Sequence, residues 1–191
     1  MGKLVVTEFI SLDGVIEDPG GAEQYRHGGW TFKYDQGDEG GKLKFGELMA
    51  ADAQLLGRVT YDGFAKAWPT MEGTGEFGEK MNAMPKFVVS TTLAEPTWNN
   101  TTVLKGGSDL VQEVDALKQQ FAGDILVAGS AKLVQSLLAE DLVDELHLMV
   151  FPIALGGGKR LFADGAEATS LKLTETKQSG AVAILILQRE G

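Results

Sequence analysis

The sequence predicts a three-layer α/β domain over residues 1–191, with a mostly parallel central sheet and an antiparallel hairpin at its C-terminal end. Three observations carry this reading. Short apolar runs of strand length alternate with amphipathic helical stretches along most of the chain. Near the N-terminus, Leu4, Val5, Val6, Phe9 and Ile10 leave no clean polar face, the pattern of a strand buried on both sides within a parallel sheet. At the other end the alternating run LKLTETKQ precedes a dense apolar run from Ala181 to Gln188. Ser179-Gly180 between them reads as a hairpin turn.

The elements follow in order. Lys3 to Ile10 is the first strand, and it ends at Ser11-Leu12-Asp13-Gly14. From Gly14 to about Gly37 the chain is glycine-rich and aperiodic, yet it carries Tyr25, Trp30, Phe32 and Tyr34, the composition of a closing lid. Gly40 to Ala53 reads as a helix with Leu43, Leu48 and Met49 inward, followed by a short strand to Leu56. Gly57-Arg58-Val59-Thr60 then opens a helix striped by Tyr61, Phe64, Ala65 and Trp68 and stopped by Pro69. Residues Thr70 to Met84 read as irregular. Gly73 to Gly78 spells G-x-G-x-x-G, but no strand precedes it, so it is not a dinucleotide fingerprint.

Lys86 to Val89 is a strand ending in Ser90-Thr91-Thr92, and Thr101 to Leu104 is another. Ser108 is placed to cap a helix striped by Leu110, Val111, Val114, Leu117 and Phe121 and closed by Gly123. A strand-helix-strand unit follows. Ile125 to Ala128 leads into Gly129-Ser130, then a helix with Leu133, Val134, Leu137 and Leu138 on one face, then an apolar strand from Glu145 to Ile153 that runs into Gly156-Gly157-Gly158.

In a parallel sheet the turns at Ser11, Gly57, Ser90 and Gly129 share the carboxyl edge, where α/β sheets bind ligands. Gly129 permits close approach, Ser130 can cap the helix, and the N–H groups of residues 130 to 133 would point at an anion such as a phosphate. Thr60 near a helix start can bond a phosphate, and Arg58 can clamp one. Taken singly, the Gly129 turn reads rather as an ordinary strand-to-helix loop, and Arg58 equally as a surface ion pair. Their convergence on one edge favours the anion site.

Composition narrows the alternatives. With 191 residues, 43% of them hydrophobic, the chain can bury roughly 70% of its unfolded surface as one domain. A formal charge of −10 argues against nucleic-acid or anionic-membrane partners, which need clustered cations. The absence of cysteine removes disulfides, thiol nucleophiles and thiolate metal sites, and His27 and His147 lie far apart, so no metal centre is expected. A reduced cytoplasmic setting is compatible, and no apolar run reaches transmembrane length. No nucleophile and base pair is visible, which argues against a covalent intermediate. His147, between Leu146 and Leu148, points away from both and reads as a structural or interface residue. The apolar strand Leu146 to Ile153 suggests a homodimer.

The ordered set SLDG, LLGRVTYDGF, KFVVST, ILVAGS and LVDELHLMVFPIALGGGKRLF resembles the dihydrofolate reductase superfamily. More closely, it is similar to the reductase domain of the bifunctional riboflavin-biosynthesis deaminase-reductase and its stand-alone relatives. The resemblance implies a dihydrofolate reductase-like fold and NADPH as cofactor, bound without a Rossmann fingerprint. It implies hydride transfer to a C=N or C=O bond of a small heterocycle, as in reduction of 5-amino-6-(5-phosphoribosylamino)uracil. Gly57, Arg58 and Thr60 match a Gly-Arg-x-Thr motif in which arginine serves the 2′-phosphate and threonine the pyrophosphate. Ser90 and Thr91 match hydroxyls lying along the adenosine phosphate. Gly129, Ser130, Ala131, Lys132 and Leu133 match the turn that cradles the pyrophosphate, with Ser130 standing where dihydrofolate reductases have a second glycine.

On the substrate side the motif makes Asp13 the candidate catalytic acid, with Asp35, Asp38 and Glu39 behind it. For each of these, a helix cap or a solvated loop carboxylate is the competing reading. Lys159 and Arg160 are candidates for a substrate phosphate. The stretch GWTFKYDQGDEGGKLKFGEL lacks the pattern that carries the pterin-protonating carboxylate of dihydrofolate reductases, so folate is not the expected substrate. A protein of the same fold that binds a nucleotide without turnover is the alternative.

Overall fold

The structure is a computed structural model describing residues 1–190. Thirteen principal elements run in the order β1 (Leu4–Ser11), α1 (Gly37–Ala50), β2 (Ala51–Gly57), α2 (Arg58–Ala67), α3 (Gly75–Ala83), β3 (Lys86–Val89), β4 (Thr101–Leu104), α4 (Leu110–Gln120), β5 (Asp124–Ala128), α5 (Ala131–Ala139), β6 (Glu145–Phe151), β7 (Leu171–Ser179) and β8 (Val182–Arg189). The strands form one sheet ordered β4-β3-β2-β5-β1-β6-β8-β7. Strands β1 to β6 are parallel to their neighbours, and β8 and β7 add an antiparallel hairpin on the β6 side.

β1 is central because neither of its faces is polar enough for water. It pairs with β5 through Leu4–Ile125 and with β6 through Val5–Glu145, and Leu4, Val5 and Val6 are fully enclosed. One face packs Leu4, Val6, Ile125, Val127 and Leu146 against Val114 and Leu117 of α4 and Val134 and Leu137 of α5. The opposite face packs Val5, Leu56, Val88 and Leu126 against Leu48 of α1, Tyr61 of α2 and Met81 of α3. These two cores make the three layers.

Several local expectations shift. The first helix begins at Gly37 and ends at Ala50, three residues earlier than its periodicity suggests, and Ala51 already belongs to β2. The cause is a bulge between Ala51 and Ala53, beside which the Asp52 carboxylate accepts the Gly123 N–H at 2.6 Å. The segment Thr70 to Met84 is not irregular: it contains α3, whose Met81 is buried and whose Phe77 packs on Trp68 at 5.5 Å. Packing overrides the helix cost of Gly75 and Gly78. Ser108 does not cap α4. It lies in a 3-10 turn, and Glu113 instead takes the Lys105 and Gly106 N–H groups, each at 2.9 Å. β6 stops at Phe151, before Pro152.

The segment after β1 is a packed wall. Trp30, in a short 3-10 turn, is fully buried, donates its indole N–H to the Glu17 carbonyl at 2.9 Å and meets Phe151 edge-on at 5.2 Å. Buried Asp18, itself at φ 48, accepts the N–H groups of Glu23 and Tyr25. The Tyr25 hydroxyl donates to the Gly157 carbonyl, and Lys159 bonds Glu17 through both its N–H and its ammonium. Wall and glycine cluster are thus one unit, hinged on Phe151, which also contacts the rings of Phe9 and Tyr34. Phe151→Ala is expected to cost about 3–5 kcal/mol of stability, read from urea unfolding, and to speed amide exchange across residues 15–34.

Candidate functional site

Because β3, β2, β5, β1 and β6 run parallel, their carboxyl ends lie on one edge and present Ser90, Gly57, Gly129, Ser11 and Pro152 side by side. The turns after β2 and β5 are in direct contact. The Gly57 N–H donates to Ser130 Oγ at 2.8 Å. A Cβ at Gly57 would lie 3.2 Å from the Ser130 side chain, and one at Gly129 would lie 3.1 Å from Thr60 Oγ1, so both positions are tightly packed, and Gly129, at φ 62, also holds a conformation that favours glycine. The expectation that Ser130 caps its own helix is corrected here. Ser130 sits in the left-handed region at φ 66, directly after Gly129 at φ 62, and makes no cap hydrogen bond. Its hydroxyl is turned across to β2, leaving the first-turn amides of Ala131, Lys132 and Leu133 without intrahelical partners and oriented toward the edge.

The other predicted cofactor residues cluster with this pair. Arg58 opens α2, and its Nε lies 2.9 and 2.8 Å from the two Asp62 carboxylate oxygens, while Nη1 reaches Thr92 Oγ1 at 3.4 Å. The ion pair and the phosphate clamp are therefore compatible: Asp62 engages Nε and leaves the terminal nitrogens facing the hydroxyl loop after β3. In that loop Ser90 Oγ accepts the N–H groups of Thr92 and Leu93, which shapes the turn and leaves Thr91 exposed. Ala131 and Leu133 pack into the core, so they can offer only backbone, whereas Lys132 is exposed. Lys132 also borders a cavity of about 300 Å³ between α5 and residues 158–164, lined as well by Gln135, Lys159, Arg160 and Phe162.

Asp13 is part-exposed, but its carboxylate is already engaged. Its carboxylate accepts the Ser11 hydroxyl at 2.6 Å and the N–H groups of Leu155 at 3.0 Å and Gly156 at 2.7 Å. The Ser11 hydroxyl and these amides hold its acidity down to about 2. A group this acidic is ionised at neutral pH and has no proton to give, so the geometry makes it the clamp that ties the SLDG turn to the glycine cluster. Arg160 joins the same clamp by donating to the Asp13 carbonyl, and Lys159 is paired with Glu17 and Glu23. Lys159 is therefore already paired, whereas Arg160 has no carboxylate partner among the described residues. Asp35 accepts the Gly37 N–H, and Glu39 pairs with Lys42 on the surface.

Three polar groups escaped the sequence reading. Glu8 of β1 is buried, with Oε1 lacking a hydrogen-bond partner among the described residues. Burial pushes its carboxyl up to about 8 against the pull of Lys44 and the Gly129 N–H. Glu47 of α1 is buried on the opposite face with His147, and Lys44 lies beside it. The signal for Glu8 was a charged residue inside a strand otherwise apolar on both faces.

Residues 2–185 match the RibD C-terminal domain family. The chain belongs to that family. It is 28% identical over 188 residues to uncharacterized protein YyaP of Bacillus subtilis (strain 168), covering 96% of this chain and 93% of the relative. Against uncharacterized protein YwjB of the same organism it is 27% identical over 178 residues, covering 93% and 92%. Among solved structures, a protein from Shewanella sp. PV-4 provisionally described as a riboflavin biosynthesis protein superposes with a TM-score of 0.77 at 23% identity, covering 99% of both chains. Acinetobacter baumannii RibD superposes with a TM-score of 0.65 at 18% identity, covering all of this chain and 59% of that one. The RibD C-terminal domain assignment and these superpositions agree with the fold expected from the SLDG-to-GGGKRLF motif order.

The Asp13 clamp has a pH signature. Its folded-state acidity, about 2, lies below the ordinary value of 3.8, so its stabilisation is present above pH 3.8 and is lost as pH falls through about 2. Asp13→Asn is expected to lower the urea midpoint at pH 6 and to flatten the midpoint's fall between pH 4 and about 2 relative to wild type. An unchanged slope in that window would remove the clamp.

Proposed function

We propose that this RibD C-terminal domain protein is an NADPH-dependent reductase that delivers hydride to a C=N or C=O bond of a small heterocyclic substrate. A ribosylaminopyrimidine phosphate such as 5-amino-6-(5-phosphoribosylamino)uracil is the first compound to try. The observation that carries the reading is the Gly57 N–H to Ser130 Oγ bond, which joins two strand-to-helix turns into one cradle lined by free amides and flanked by Thr60 and Arg58. The amides and Thr60 would hold the pyrophosphate, and the guanidinium of Arg58, steadied by Asp62, would hold the 2′-phosphate. Bound there, the cofactor supplies the hydride. The chain's own part is to orient it and, through the wall of residues 15–34, to keep water out.

Binding without turnover is the second reading. It is favoured by one observation: Asp13, the acid named by motif, is fully engaged as a clamp. Titration with NADPH and NADH, followed by nicotinamide absorbance in the presence of the uracil compound, separates the two. The apolar strand that suggested a homodimer, β6, lies inside the sheet between β1 and β8, so a homodimer is proposed instead on the β7 side, where Leu173 is 51% exposed on an uncovered edge strand. No helix among the described residues is long and apolar enough to cross a membrane, and action on a soluble nucleotide in the cytoplasm fits that.

Arg58→Ala is expected to weaken NADPH by roughly 10- to 150-fold, about 1.5–3 kcal/mol, and to leave NADH nearly untouched. Equal losses for both cofactors would remove the 2′-phosphate role.

A further inference from the structure

At the carboxyl edge β1 outlasts β5. Its last pair with β5 is Thr7–Ala128, whereas its pairing with β6 runs on to Ser11–Phe151. The next step of the β5 ladder sets Glu8 beside Gly129, one strand spacing of about 4.8 Å away. Side chains alternate along a strand, so Glu8 shares its face with Leu4, Val6 and Ile10, which belong to the same core as Ala131, Leu133 and Val134 of α5. The Glu8 carboxyl is therefore directed to the α5 side of the sheet, at the height of the Gly129-Ser130 turn.

This surrounding does not suit a charge. Glu8 is 3% exposed, its β6 neighbour Leu148 is buried, and its Oε1 has no hydrogen-bond partner among the described residues. Nor does Glu8 form an ion pair among them: Lys44, the cation that acts on it, is held by Thr7 and Glu47 across the sheet. A buried carboxyl without a partner keeps its proton, and burial moves the titration of Glu8 up to about 8. A leucine here, as at position 4, would pack without that cost. An ionised Glu8 would oppose any phosphate seated at the turn, through surroundings that screen poorly; a protonated one would not.

We propose that the α5 turn takes its anion together with a proton, and that Glu8 is the positioning residue that carries this proton. The ligand group is a phosphate or pyrophosphate. The inference rests on the reading of this turn as the seat of the cofactor pyrophosphate, and not on hydride transfer. Where Glu8 is already protonated, binding moves no proton. At higher pH each anion bound draws a proton from water onto the Glu8 carboxylate. β5 and β6 present Val127 and Leu148 on the Glu8 face, with His147 turned to the other. The remaining ionisable neighbours are Lys44 across the sheet, Lys132 in the first turn of α5, and Asp13 and Arg160 in the loops at the end of β1.

The test is calorimetric titration of the full chain, wild type and E8Q, with NADPH and NADH between pH 7 and 9.5. A one-unit upward move of Glu8 on binding raises the wild-type Kd for both cofactors about 10-fold across this range. It also gives uptake of roughly half a proton per ligand near pH 8.5, read from buffers of different ionisation enthalpy. E8Q, neutral and of the same shape, should bind within about threefold of wild type at pH 7 and show neither effect. Lys86, pushed down to about 8, titrates in the same window but is present in both proteins, so the difference belongs to Glu8. Carboxyl-carbon NMR of wild type, with and without NADPH, should show a neutral Glu8 at pH 7 and a higher midpoint in the complex; it decides alone should E8Q not fold. Equal pH slopes in wild type and E8Q, or a Glu8 already ionised at pH 7, overturn the proposal and leave the cofactor seat standing. A wild type that binds neither cofactor at any pH defeats the seat and the proton together. Binding with the expected slope but no oxidation supports the proton and counts only against turnover.

Discussion

The hydrogen bond from the Gly57 N–H to Ser130 Oγ is the constraint from which the rest of the edge follows. β2 and β5 are neighbours in a parallel sheet, each followed by a helix that folds back, so their turns must meet at the same height. That contact leaves little room for a Cβ at Gly57 or Gly129, and Ser130 takes a left-handed conformation that costs a serine about 1 kcal/mol. Where related folds use a second glycine, the hydroxyl of this serine offsets the strain by accepting the β2 amide. It also leaves its own helix uncapped, so the free amides of α5 belong to the edge rather than to the chain. A structural bond and the proposed binding feature are here the same arrangement of atoms.

The second dependency runs from Asp13 to the glycine cluster. Its carboxylate draws three donors inward, the Tyr25 hydroxyl and Lys159 draw the wall onto the same loop, and Phe151 fills the space behind them. Residues 15–34 lack long regular structure but not order, because their backbone groups are satisfied by buried Asp18, by Glu17 and by the loop at 156–160. A wall built this way borders the edge without needing to travel far.

Much of this was legible in the residues. The central position of β1, the stripe of α5, the terminal hairpin and the shared edge of four turns all follow from periodicity and from parallel-sheet geometry. What was not legible depends on distant partners. Asp13 reads as an acid in a motif until amides 142 and 143 residues away close around it. α3 is invisible because its glycines depress helix propensity and only contacts from Met81 and Phe77 restore it. In α1, Leu43, Leu48 and Met49 make the helix itself legible, but the inward turn of Glu47 and Lys44 breaks the rule that charged side chains lie on the outer face and so leaves no periodic trace.

Electrostatics explains why the buried cations sit where they do. A chain of charge −10 would repel the phosphorylated cofactor proposed above at long range, so any attraction has to be short-ranged, within the roughly 8 Å over which physiological salt leaves a field intact. Neutral amides, Thr60 and one guanidinium can supply this at the edge at little desolvation cost. Under α1 the answer differs: Lys44 and His147 are retained inside the protein by sharing Glu47, so neither is left unpaired.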